Sequence, residues 1–212
     1  MAGAHVVPVV DLRIMDKTSD LNTTIVVRQW SGRVGTGIAL AAALLVVINE
    51  TAHGGPVRGL MALAPMALLT YLVWLWWGSA SMVLDGEGVH IRNPLRRADI
   101  GWQRVEGASG AWGLNVMADG RKHSVWACPA RGGVSMSRGG HPDALPSLFG
   151  PEQTTTTTTL DAQRGSRLVQ ECRLEVTGSP GHVGGSELTT GWQVGRSAVL
   201  VALVAATVVT LM

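Results

Sequence analysis

At 212 residues the chain has room for one domain of ordinary size. Hydrophobic residues make up 46% and charged residues only 15%, against about 25% charged in a typical soluble protein, so part of the chain is expected in lipid. A formal charge of +2, with Arg interleaved among Asp, Glu and Gly, excludes the dense basic face that nucleic-acid binding requires.

Residues 1–33 are polar to mixed and are expected to form a cytoplasmic N-terminal segment. Next comes VGTGIALAAALLVVIN at 34–49, bounded by Arg33 and Glu50 and followed by the short, turn-rich ETAHGGPVRG. The second run, 59–84, contains no charged residue. About 20 helical residues cross the roughly 30 Å of bilayer hydrocarbon, so 59–77 suffices. Pro65 is tolerated in such a helix, as a kink. Tyr71, Trp74, Trp76 and Trp77 crowd its end, where aromatic rings prefer the headgroup layer, and are expected to act as membrane-interface anchors. The segment 34–78 therefore reads as a two-helix transmembrane hairpin. A cleaved signal peptide fits poorly, because a long segment precedes the first run and no small-residue cleavage site closes it.

From Ser81 the hydrophobic period changes to two. Met82, Leu84, Val89 and Ile91 alternate with Val83, His90 and Arg92 around Asp85-Gly86-Glu87-Gly88, the pattern of a hairpin of half-buried strands. Asn93-Pro94 turns the chain. RRADIGW then carries Ile100 and Trp102 to one face, with Val105 after it. In AWGLNVMAD, Trp112, Leu114 and Val116 alternate inward, Asp119-Gly120 makes another hairpin turn, and RKHSVWACPA returns. Residues 79–130 thus predict a small antiparallel sheet of five strands, with Trp102, Trp112 and Trp126 filling its interior.

Residues 131–159 are rich in Gly, Pro and Thr and include the run Thr154 to Thr159; they read as a flexible, exposed insertion. An amphipathic helix is expected over 160–176, its apolar stripe formed by Leu168, Val169, Cys172 and Val176, with Gly165 weakening it. A linker at 177–195 leads to a last apolar run at 196–212, which reads as a C-terminal transmembrane helix with Arg196 snorkelling to the interface. Arg28 and Arg33 before the first run, and Arg92, Arg96, Arg97 and Arg104 after the second, place the N-terminus and the middle segment in the cytoplasm by the positive-inside rule. The expected location is a bacterial plasma membrane crossed three times.

VLDGEGVHIRNPLRRADIGWQRVE, AWGLNVMADG and SVWACPA, following two apolar spans, resemble the membrane-anchored bacterial PH-domain proteins of actinobacteria. The residues that carry the resemblance are Asp85, Gly88, Val89, Asn93, Leu95, Arg96, Arg97, Trp102, Trp126, Ala127, Pro129 and Ala130. It implies an α+β membrane protein in which a PH-like antiparallel half-barrel is closed by a capping helix. Headgroup-binding members of that class resemble one another in placing Lys and Arg around the first hairpin loop. Here that loop, with Asp85 and Glu87, is acidic, so phosphoinositide recognition is not expected.

Chemistry is sparse. Cys128 and Cys172 lack any CxxC spacing and are expected as free thiols. The six histidines show no i, i+4 pairing, and no HExxH, GxSxG, GxGxxG or Walker pattern occurs. No catalytic, cofactor or metal residue is assigned, and only a site joining His90, His123 and an acid would suggest an enzyme. Arg92, Arg96, Arg97 and Arg104 are candidates for contact with anionic lipid or a partner. The expected role is a non-enzymatic module at the cytoplasmic face of the membrane that binds a membrane protein or peptide. The alternative is an accessory subunit associating through helices rich in small residues, Gly35, Gly37 and Ala39 among them.

Overall fold

The computed structural model describes residues 23–130, 145–149, 154–179 and 184–212. Most of the expected N-terminal segment (1–22), much of the expected insertion (131–144 and 150–153) and part of the linker (180–183) lie outside the described residues.

The first element corrects the boundary drawn at residue 33. Thr23, Ile25 and Val27 are buried while Thr24 and Val26 are half-exposed, so TTIVVR forms a strand, β1 (Thr23–Arg28). Its antiparallel neighbour, β2 (Ser81–Leu84), lies beyond the apolar runs in sequence. Both apolar runs are therefore inserted between two paired strands. The intervening helix, α1 (Trp30–Val73), breaks at Gly55, whose φ of 79° and ψ of 173° suit a residue without Cβ. Pro56 follows, where its missing N–H costs nothing at the start of the second arm. The expected loop around ETAHGGPVRG shrinks to this one break, and Pro65 is carried within the second arm. Gly32 meets the backbone of Trp77 and Gly78, and Gly59 meets Thr51 near the bend, so the two arms run back along each other. A π-helical turn, Trp74–Gly78, ends the second arm.

The last helix, α3 (Val194–Leu211), also packs on α1. The 30–78 segment and α3 are each long and apolar enough to cross a membrane, with mean hydropathy 1.8 and 2.0. Their large apolar side chains, such as Leu45, Leu60, Val201 and Val209, point outward. A helix from a protein core would turn such residues inward.

The expected single sheet is two. One joins β8 (Thr154–Thr158), β1, β2, β3 (Gly88–Arg92), β4 (Arg96–Gly101) and β9 (Leu188–Trp192), in that order. The other joins β5 (Val105–Ser109), β6 (Leu114–Ala118) and β7 (Arg121–Val125). No strand pairing closes the two into a barrel among the described residues. Both edge strands of the larger sheet fall in segments expected to be unstructured. The threonine run is β8 (Thr154–Thr158), parallel to β1; its monotony conceals that each residue is β-branched and suited to a strand. Within the expected linker, β9 (Leu188–Trp192) pairs antiparallel with β4.

The predicted hairpins are present, with Met82, Leu84, Val89 and Ile91 buried. Asp119 and Gly120, both at positive φ (49° and 68°), form the turn between β6 and β7. Of the three tryptophans expected inside, only Trp102 is buried; Trp112 is 94% exposed and Trp126 43% exposed. Gly113, at φ 97°, breaks the alternation between Trp112 and Leu114. Trp126 turns outward to meet Trp76 edge-on, with ring centroids 5.9 Å apart, which ties the second sheet to the end of the hairpin.

The amphipathic helix is α2 (Ala162–Gly178), capped by Asp161, whose carboxylate accepts from the Arg164 N–H. Leu168, Val169, Cys172 and Val176 are buried, and α2 packs on β5 and β6. Gly165 brings it close: a Cβ there would lie 3.0 Å from both Cys128 Sγ and a Leu114 methyl. Residues of both sheets and α2 share one hydrophobic core.

Candidate functional site: an arginine cleft at the foot of the helices

Strand register builds the site. Arg28, the last residue of β1, lies opposite Ser81, which lies opposite Arg92 at the end of β3. Residues directly opposite one another share a face of a sheet, so Arg28 and Arg92 flank the small Ser81 on one side. α1 begins two residues after Arg28 and brings Arg33 in its first turn. α3 begins two residues after β9 and brings Arg196 in its own first turn. The four arginines, with Thr36, Trp74 and Gly78 to Ser81, line a cleft of about 590 Å³ where the helices meet the sheet.

No carboxylate is among the lining residues. Among the described residues Arg28 and Arg33 form no ion pair, whereas Arg92 is paired with Asp99 at 3.1 Å. Arg196 stacks over the Trp74 ring at 5.2 Å and reaches the carbonyls of Ser79, Asn93 and Pro94 at 3.4–3.5 Å. Its backbone carbonyl accepts from the Tyr71 hydroxyl at 2.9 Å. Gln29 and Gln193 precede the two helices without a capping side-chain bond, and neither first turn holds an acidic residue. Four guanidinium groups without a lining carboxylate make an arrangement suited to an anion.

Of the four arginines expected as contact residues, Arg92 and Arg97 lie directly opposite one another on β3 and β4. Arg92 alone enters the cleft. Arg96 stacks on Trp192 at 4.9 Å, and Arg97 lies across Gly191, which offers no side chain. Arg104, on the side of the smaller sheet, pairs with Asp119 at 2.9 Å and donates to the Ser186 carbonyl. Arg28, Arg33 and Arg196 are the cleft residues that charge counting assigned only to orientation and snorkelling. The alternation in TTIVVR was the available signal, because it makes Arg28 a strand end. Of the interface aromatics, Trp74 lines the cleft and Tyr71 packs beside it, their rings 5.5 Å apart, while Trp76 and Trp77 are about half exposed.

A second polar cluster adjoins the cleft through Asp99, which contacts both Arg92 and His90. His90 bridges two carboxylates, with Nε2 3.1 Å from Asp85 and Nδ1 2.9 Å from Asp99. The Asp85 contact is the main force raising its pKa to about 9, burial opposing and Asp99 adding, so the imidazole is protonated at neutral pH. Burial pushes Asp85 up, but His90 and the amides of Gly88 and Glu87 outweigh it and hold the carboxyl below its ordinary value. With both ring nitrogens engaged, His90 has no free nitrogen for a metal or a substrate. His123, on the smaller sheet, is held lower, first by burial and then by Arg121, and its Nε2 has no hydrogen-bond partner among the described residues. It contributes nothing to the His90 cluster. No group of three or more potential ligands suited to a metal occurs among the described residues.

No family model, curated protein or solved structure matches the chain.

Proposed function

We propose that this chain is a membrane-anchored, non-enzymatic interaction module: a PH-like domain held at the cytoplasmic face of a bacterial plasma membrane, where it binds a membrane-protein or peptide partner. The observation that carries this reading is the shared root of the apolar helices. α1 leaves the sheet from β1 and returns into β2, and α3 leaves from β9. Three crossings starting from one end of the larger sheet would hold the domain flush with the bilayer. β8, at the outer edge of that sheet, has neither charge nor proline to obstruct an added strand.

Capture of tagged full-length chain from gently solubilised membranes tests this reading. Lysines at Thr155 and Thr157 are expected to abolish recovery of the partner while leaving the protein in the membrane; unchanged recovery would reject β8 as the binding edge. A second reading, association through the helices, is favoured by Gly35 and Gly37, where an added Cβ would meet nothing within 4 Å. Small residues open to the lipid side suit close approach of another helix. In that case Gly35→Ile with Gly37→Ile loses the partner and the β8 lysines do not.

A further inference from the structure

The arginine cleft continues into an apolar groove. Leu40, Ala43 and Val47 on the first arm, Leu63 and Ala67 on the second and Leu203 on α3 line a space of about 450 Å³. Thr36 and Trp74 line both the groove and the cleft. From Thr36 to Val47 the first arm rises roughly 16 Å at 1.5 Å per residue, so the groove runs along the arms away from the charged end. A polar, cationic compartment thus opens into a long apolar one. This is the division of an anionic amphiphile.

We propose that cleft and groove form one site for a single anionic phospholipid, with its phosphate among Arg28, Arg33, Arg92 and Arg196 and an acyl chain between the arms. This rests on the membrane-anchored reading of the helices. Charge complementarity names the occupant. Four guanidinium groups line a cleft without a lining carboxylate, and only Arg92 among them is tied to an acid, Asp99, among the described residues. A phosphate would meet these guanidinium groups through charge-assisted hydrogen bonds. The apolar groove separates a lipid from a soluble phosphate, which would use the cleft alone. Tyr71 and Trp74 stand where interfacial aromatics meet a headgroup.

Native mass spectrometry of the delipidated full chain in detergent tests the site, with phosphatidylglycerol, phosphatidylcholine or inorganic phosphate added. One phosphatidylglycerol per chain is expected, retained at least tenfold better than phosphatidylcholine. Arg28→Gln with Arg33→Gln, two exposed side chains without ion-pair partners among the described residues, should reduce retention at least tenfold. Ala43→Trp should do the same by filling the groove, and Val47→Trp repeats that test farther along it. Arg104→Gln removes a charge outside the cleft and should leave binding unchanged.

Equal retention of both lipids, or an equal loss with Arg104→Gln, would overturn the proposal in favour of unspecific surface charge. Phosphate competing as well as the lipid, with Ala43→Trp without effect, would overturn it in favour of a soluble anion. Release of a co-purifying protein by Ala43→Trp, without change in lipid, would assign the groove to a partner helix. Carbonate washing of membranes separates the two readings: a chain that stays in the pellet yet shows no lipid preference rejects the lipid site alone, and one that washes off rejects the anchor.

Discussion

His90 joins the β2–β3 turn to β4 through two carboxylates, and its charge makes that link depend on pH. The folded pKa of about 9 lies above the ordinary 6.5. Stabilisation from the imidazolium is therefore complete below about 6.5 and is lost as pH rises through about 9. Asp85, held low, works in the opposite direction; its contribution is present above the ordinary carboxylate range and is lost as acid protonates it. His90→Gln should remove the alkaline part of the profile, at a cost of about 1 kcal/mol at pH 6 for a half-exposed cluster. Unfolding midpoints of the detergent-solubilised chain between pH 6 and 10 measure this; parallel profiles for parent and variant would contradict it. The two cysteines make a second test. Burial is the main force pushing both Cys128 and Cys172 up to about 12, so neither supplies thiolate near neutrality. A water-soluble maleimide at pH 8 should label neither until the protein is denatured. Rapid labelling of the folded chain would place one of them at the surface.

At the scale of elements, α2 shows what one residue adds to a helix already evident from its stripe. Gly165 lowers helix propensity, yet its missing side chain seats the helix on Leu114 and Cys128. Gly165→Val should destabilise the fold by about 1–3 kcal/mol through overpacking. Gly195→Ala, where a Cβ meets nothing within 4 Å, should change little. β8 makes the reverse point. In a parallel pair only alternate residues of an edge strand donate to their neighbour, so alternate amides of Thr154–Thr158 should resist hydrogen exchange and the others should not. Uniformly fast exchange would remove β8 from the sheet. The local hairpins 81–92 and 114–125 were legible because their two strands and turn lie together in sequence. β1, β8 and β9 were not, because each pairs with a distant strand and each adjoins a stronger signal: an apolar helix, a homopolymer-like run, or a glycine-rich linker. Trp112 and Trp126 misled for a different reason, since a period-two pattern gives no sign of the positive φ at Gly113 or of the Trp76 ring that meets Trp126.

Across the whole molecule, insertion of the α1 hairpin between β1 and β2, with α3 rising from β9, brings basic residues from four elements to one level. That convergence is invisible to charge counting along the chain. Arg92, Arg96, Arg97 and Arg104 are near one another in sequence, and Arg97 lies directly opposite Arg92, but only Arg92 lines the cleft. Arg28, Arg33 and Arg196 are scattered and meet. The proposed anchor predicts that the helices cross the membrane with the domain on the inner side. Single cysteines at His53 near the bend, at exposed Trp112 on the domain and at Met212 test this most directly, with the native cysteines buried and silent. An impermeant maleimide applied to intact bacterial cells should label positions 53 and 212, and position 112 only after lysis. Labelling of 112 together with 53 before lysis would contradict the three-crossing anchor.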